Sequence, residues 1–371
     1  MAAASPDQIE QYEREGLLVG LTGEEREARI DLLGQLSEAG VSIDDLKRAV
    51  EQDRLALLPI ELVMSRECKY TLREVLEKSG LDDDFSRRDF LALGLPHPGD
   101  DEVVYTDTDL ASFVAVKQVL DAGLPVERFL ELARVAGRAS AQTAEAILIT
   151  FVRQFLQVGD TERDVGLRLA ALAEGLMPSL GPLLEVPTRL HMREIVRREV
   201  IGRAERIEGV LPGSREVGIC FADLVSFTSL SEATEVEEIG EVTRRLELHA
   251  AEIAEPPVRL IKLIGDAAML VSPDVPPLID AASHLVGEVD RDEHLPKIRA
   301  GVAAGPALNR GGDWYGRSVN LASRLTGTAD PGAIVATQEV VAAAGDRYAW
   351  EPLPPRRLKG IERQVEVFAL R

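Results

Sequence analysis

Three short segments carry side chains whose types and spacing could act on bound phosphates. In Phe221-Ala222-Asp223-Leu224-Val225-Ser226-Phe227-Thr228 an apolar run leads straight into a carboxylate and then a small, polar turn. A carboxylate at a strand end, followed by backbone N–H groups at a helix start, can hold a metal ion together with its phosphates. In Lys262-Leu263-Ile264-Gly265-Asp266 a second carboxylate sits in a tight turn that Gly265 permits. Lys262 is a lone cation in an otherwise apolar run, so its side chain must snorkel or find a partner. In Asp313-Trp314-Tyr315-Gly316-Arg317-Ser318-Val319-Asn320-Leu321-Ala322-Ser323-Arg324-Leu325, a helix starting near Ser318 puts Asn320 and Arg324 at i and i+4. An amide and a guanidinium on one face make an anion clamp, with Val319, Leu321, Ala322 and Leu325 on the other side. Each segment alone also fits a bland role. Asp223 could cap a helix, Gly265-Asp266 could be an ordinary turn, and Asn320 with Arg324 could be a solvated face.

The elements around these segments alternate between strand and helix. A buried strand over Glu216–Ala222 precedes an amphipathic helix over Glu232–Ala254, closed by Pro256-Pro257. Strands over Val258–Leu263 and Ala267–Ser272 meet at Gly265, and a helix follows Pro276-Pro277. A strand over Ile298–Ala304, the helix from Ser318, and short strands near Ile334 and Val365 complete the domain. This βαββαβ order predicts an α+β, ferredoxin-like domain: one sheet with helices packed on one face.

Residues 1–190 read instead as an all-helical domain. Ser42 and Thr71 stand as N-caps before acidic residues, and Gly40, Gly80, Gly123, Gly137 and Gly175 fall at helix ends. Thr143–Phe155 is apolar almost all round, the mark of a helix buried in a bundle or at a dimer seam. No strand-like alternation is visible. Residues 191–212 read as a charged connector helix and linker, and 213–371 as the α+β domain that carries the three segments.

The ordered motifs Phe-x-Asp-φ-x-x-Phe-Thr, Lys-x-x-Gly-Asp and Asp-x-x-Gly-x-x-Val-Asn-x-Ala-x-Arg-Leu resemble the catalytic domain of class III adenylyl cyclases. The resemblance covers about Glu216 to Leu370, including Leu358-Lys359-Gly360 and Val365-Glu366-Val367-Phe368. It implies cyclisation of ATP to 3′,5′-cyclic AMP with two Mg²⁺ or Mn²⁺ ions held by Asp223 and Asp266. It further implies that Asn320 orients the ribose and Arg324 stabilises transition-state charge. Lys262 and Asp313 match the pair that reads the base, and Arg299 and Lys359 match cations for the terminal phosphates. Adenine suits that pair, because N1 accepts from Lys262 and the N6 amino group donates to Asp313, whereas guanine reverses the pattern. Metal and base residues of the family come from different chains, so a symmetric homodimer with two equivalent sites is implied.

Two details depart from the family pattern. Ser226 stands where the family more often has Gly. Gly311-Gly312-Asp313 is superficially like the GGDEF signature, but Trp314 and Tyr315 replace the Glu-Phe it needs. The helical half is similar to that of soluble mycobacterial-type cyclases, in which a helical domain inhibits the catalytic one in a pH-dependent way. His191, the titratable residue at the start of the connector, is the candidate for such regulation.

The totals bound the alternatives. A net charge of −21 excludes nucleic acid as the main partner but suits metal-bridged nucleotides. Tyr70–Asp107 is like a MerR-type helix-turn-helix, yet Thr71–Glu102 holds four basic residues against nine acidic ones. The competing readings are a nucleotide-sensing MerR-like regulator with an inactive cyclase domain, and a guanylyl cyclase. No uninterrupted apolar stretch long enough to span a bilayer and no signal peptide are read. Cys68 and Cys220, far apart and without CxxC spacing, fit a reducing cytoplasmic setting. A small ligand in the helical half is left open, with no residues to identify it.

Overall fold

Strand alternation decides how the C-terminal half is built. The computed structural model describes residues 4–99, 101–198, 214–227, 236–361 and 363–371. It divides into two units, Met1–Val200 and Ile201–Arg371.

The first unit is helical: α1 (Pro6–Arg14), α2 (Gly23–Glu38), α3 (Ile43–Glu51), α4 (Leu58–Ser65), α5 (Leu72–Ser79), α6 (Asp83–Leu93), α7 (Asp107–Asp121), α8 (Val126–Phe155) and α9 (Glu162–Arg198). Ser42 caps α3 by accepting from the Asp45 N–H, and Thr71 and Glu74 form a reciprocal capping box on α5. Tyr12, Leu32, Leu33, Leu46 and Leu55 fill one core, and Leu81, Phe85, Leu130 and Ala133 a second.

Three expectations for this half are corrected. Strands β1 (Tyr70–Thr71) and β2 (Val103–Tyr105) pair antiparallel; segments of two and three residues are too short to show an alternating pattern. The Thr143–Phe155 run ends α8 and is not buried within the described residues, Leu148 being 46% and Ile149 42% exposed. Helix α9 runs on through Pro178, Pro182 and Pro187, so the connector read from 191 is, as far as residue 198, the tail of that helix. The rest of the connector, 199–212, lies outside the described residues. An 18-residue window of α9 also reaches a mean hydropathy of 1.2 with at most two charges, long and apolar enough to cross a membrane by length and composition.

The second unit is one sheet in the order β4 (Arg259–Ile264), β5 (Ala267–Ser272), β3 (Arg215–Leu224), β6 (Ile298–Arg310), β8 (Ile334–Thr337), β10 (Val365–Leu370), β9 (Trp350–Arg356). A short β7 (Asp313–Tyr315) hangs on β6. Among the described residues only β6 and β8 pair parallel. The helices are α10 (Val236–Glu252), α11 (Val275–Arg291), α12 (Arg317–Thr326) and α13 (Gln338–Ala344). The first four strands with α10 and α11 form the expected βαββαβ core.

Helices do not all pack on one face. Cys220, Ala222 and Leu224 of β3 join Leu246 of α10, Leu278 and Leu285 of α11 and Val340 of α13 in one core. The alternate residues Val217, Ile219 and Phe221 face the other way, onto Leu321, Ala322 and Leu325 of α12. Among the described residues helix α12 therefore lies alone on the opposite face, and Gly301 lets it settle there. A Cβ on Gly301 would stand 2.4 Å from the Thr326 nitrogen and 2.8 Å from the Ala322 carbonyl oxygen. Thr326 completes the seat by donating its hydroxyl to the Phe221 carbonyl at 3.2 Å. Gly301→Ala is expected to overpack this joint at a cost of about 1–3 kcal/mol. Thermal unfolding of the full chain should show a midpoint lowered by several degrees.

Candidate active site

Asp223 follows Phe221 by two residues in β3, so the pleat turns it toward the face that carries α12. Its cross-strand partners are Arg299 in β6 and Ala267 in β5. Arg299 shares the parity of Gly301 and Ala303, and its Nη2 donates to Asp223 Oδ2 at 3.1 Å. Asp266 immediately precedes Ala267. Gly265, at φ +62°, makes the turn, and the Asp266 carbonyl accepts from the Leu224 N–H at 3.1 Å. The two carboxylates thus come to the same end of the central strands. Burial, and then the negative charge of Asp223, hold the Asp266 carboxyl above the usual carboxylate range.

A second group forms beside it. A bulge in β4 makes Ile261 and Lys262 together oppose a single position on β5. Met269, the partner of Lys262, belongs to the α12-side core. Gly311 and Gly312, both at positive φ (62° and 82°), form a two-residue hairpin that sets Asp313 opposite Arg310. Lys262 Nζ donates to Asp313 Oδ2, and the Trp314 N–H donates to the other carboxylate oxygen at 2.8 Å. Trp314, 7% exposed, anchors the hairpin. Lys262 thereby has the partner its apolar surroundings demanded. The Gly-Gly pair is explained by turn geometry.

Asn320 and Arg324 lie one turn apart on the exposed face of α12, above buried Leu321, Ala322 and Leu325. Among the described residues no hydrogen bond or ion pair joins Arg324 to Asp223 or Asp266. Lys359 is exposed in a turn after β9, and His191 is exposed on α9 in the other unit. The structure therefore brings together Asp223, Asp266 and Arg299 in one group and Lys262 and Asp313 in another. It leaves Asn320, Arg324, Lys359 and His191 on the surface.

The sequence profile of the adenylate cyclase regulatory domain matches residues 10–196, and that of the adenylate and guanylate cyclase catalytic domain matches 211–371. A pH-sensitive adenylate cyclase of Mycobacterium tuberculosis is 36% identical over 362 residues, 96% of this chain and 91% of the relative. The chain belongs to the adenylate cyclases. An adenylate cyclase of Streptomyces griseus is 30% identical over 76% of this chain and 70% of its own. A guanylate cyclase domain from Catenaria anguillulae, solved with GTP, aligns with a TM-score of 0.39 at 22% identity over 43% of this chain and 98% of that one.

Catalytic domains of this class use divalent metal ions, and the donor set of this cyclase fits them. Among the described residues there is no cluster of three or more His, Cys, Asp or Glu that would enclose an ion completely. Two hard carboxylates with room for phosphate oxygens are what Mg²⁺ accepts. Sequence reasoning missed Gly301 and the Asp223–Arg299 pair. The alternation of β3 was a usable signal for the side of the sheet; the register that makes Arg299 the neighbour of Asp223 had none.

Ser226, in the turn after Asp223, is held at φ +62°, where glycine is at home and other residues pay a steric penalty. Ser226→Gly is expected to stabilise the cyclase by about 1 kcal/mol, seen as a higher urea midpoint at unchanged slope.

Proposed function

We propose that this adenylate cyclase closes ATP to 3′,5′-cyclic AMP and pyrophosphate at two equivalent sites shared between two copies of the chain. In each site Asp223 and Asp266 of one copy hold two Mg²⁺ or Mn²⁺ ions. Bound there, the ions supply charge neutralisation around the α-phosphate and acidify the attacking hydroxyl. Arg299, with Lys359, takes the terminal phosphates. Lys262 and Asp313 of the other copy read adenine, Lys262 donating to N1 and Asp313 accepting from the N6 amino group. Asn320 of that copy orients the ribose, and its Arg324 meets the charge that develops on the α-phosphate.

The observation that carries this reading is that the residues gather into two groups on one sheet face while the clamp on α12 points outward. A guanidinium exposed on an otherwise well-packed helix, with no carboxylate partner among the described residues, suits a role toward a second copy. The Lys262–Asp313 pair is already formed, so base recognition exchanges one charge-assisted contact for two hydrogen bonds to adenine. Guanine would set O6 against Asp313 and leave buried polar groups mismatched. Exposed apolar side chains on α8 and α9, including Leu148, Leu183, Leu184, Leu190 and Ile195, support a homodimer.

The helical half is the regulator, and we assign a pH response to His191. Its support is the position of His191 on the last described helix before the catalytic domain in sequence, together with the pH-sensitive relative. Nothing supports DNA binding: the α5–α6 pair with its β1–β2 ribbon has a helix-turn-helix order, but acidic residues dominate it.

Two measurements test these assignments. Asp223→Asn and Arg324→Ala are each expected to lose more than 99% of cyclic AMP production as pure variants. Mixing the two in equal amounts should rebuild one intact site in half the dimers, restoring about a quarter of wild-type activity. A mixture as inactive as its parts would sink the shared site. For regulation, His191→Gln is expected to flatten the pH–activity profile; an unaltered profile removes His191 from the mechanism.

A further inference from the structure

Arg299 has a second property that its assignment to terminal phosphates does not cover. Its backbone lies directly across from Asp223 on the neighbouring antiparallel strand, so the sheet itself delivers the guanidinium to the carboxylate. The contact is a single one, Nη2 to Oδ2 at 3.1 Å, rather than a two-pronged pairing. Nη1 donates to the Gly327 carbonyl at 3.3 Å, and the buried Nε has no partner. Both side chains are about three-quarters covered, at 27% and 24% exposure. A guanidinium in this position is paired but incompletely satisfied. A buried unpaired donor is costly, and an acceptor-rich ligand would relieve it.

The same carboxylate cannot serve two cations equally. A divalent ion arriving at Asp223 meets a fixed positive charge within hydrogen-bonding distance of the oxygen it needs. We propose that Arg299 is the resident counter-cation of Asp223 and leaves it for the triphosphate, so that metal and nucleotide bind this cyclase in a coupled way. The inference rests on reading Asp223 as a metal ligand and Arg299 as a phosphate group's partner. Arg299 keeps the two neighbouring carboxylates tolerable to each other. When a polyphosphate draws the guanidinium away, Asp223 is released for the metal in the same event. Arg299 is thus a positioning residue for Asp223 as well as a contact for substrate.

The test is Mn²⁺ binding to the full-length cyclase without nucleotide, followed by the electron paramagnetic resonance signal of free Mn²⁺. Arg299→Gln removes the competing charge and is expected to tighten Mn²⁺ binding at the Asp223-dependent site about fivefold or more. Arg299→Lys keeps a cation and should stay close to wild type. Adding Asp223→Asn to Arg299→Gln should abolish the gain, because the competition then has no object. If Arg299→Gln binds Mn²⁺ no tighter than wild type while Asp223→Asn weakens binding, the coupling is wrong and the metal site stands. If Asp223→Asn leaves Mn²⁺ binding unchanged, Asp223 is not a ligand and both readings fall. Should Arg299→Gln not fold, as judged by circular dichroism, Arg299→Met carries the same comparison with a stem of similar length.

Discussion

Two carboxylates at one end of a sheet repel each other, and the catalytic unit is arranged around that repulsion. Asp223 and Asp266 sit on neighbouring structural elements, and burial, then the charge of the first, raises the carboxyl of the second. In water such a pair would separate at little cost. Here β3 is flanked by β5 and β6, and the turn at Gly265 is bonded to β3 through the Asp266 carbonyl. These hydrogen bonds fix the backbone positions from which both side chains project. Arg299 supplies positive charge beside Asp223 from the adjoining strand. A site of this kind is primed for cations, because the scaffold has already met the cost of bringing the negative charges together.

The same sheet solves a second problem, keeping one face open. Three helices bury one side, with Leu246, Leu278, Leu285 and Val340 meeting the small residues Ala222, Ala268 and Ala300. On the other side α12 is the one helix seated among the described residues, close enough that Gly301 is needed beneath it. The remainder of that face carries Lys262, Asp223 and Arg299. Close seating fixes the direction in which Asn320 and Arg324 point, because Leu321, Ala322 and Leu325 leave the helix no rotational freedom. Precision in the clamp is a consequence of burial on the reverse of the same helix.

How much of this was legible depended on the range of the interaction. The motif residues, the βαββαβ order and the identity of α12 were readable because each is encoded within about ten consecutive residues. Lys262 was flagged by a local mismatch, a cation in an apolar strand, and the structure answers it with Asp313. Three features were not readable. The face on which α12 packs depends on long-range placement rather than on its own periodicity. The Asp223–Arg299 neighbourhood depends on register across 76 positions of chain. Strands β1, β2, β7 and β9 and the short α13 escaped because they are brief or, like Trp350–Arg356 with its three prolines, lack a period-two signal.

The helical unit shows the opposite distribution of constraint. Arg29 pairs with Glu162 and Arg163 with Asp31, and Leu169 and Ala173 are buried, so the start of α9 is fixed to α2 and its neighbours. Beyond that point Met177, Leu183, Leu184, Val186, Leu190 and Ile195 are exposed along the same helix. The helix has 37 residues, on the order of 55 Å at 1.5 Å per residue. Only its first third meets the core of its unit. An apolar surface left exposed among the described residues gains free energy from whatever covers it. The attitude of the distal half is therefore set by its contacts rather than by its fold. One end of the helix is held firmly, and the other takes its position from what it meets.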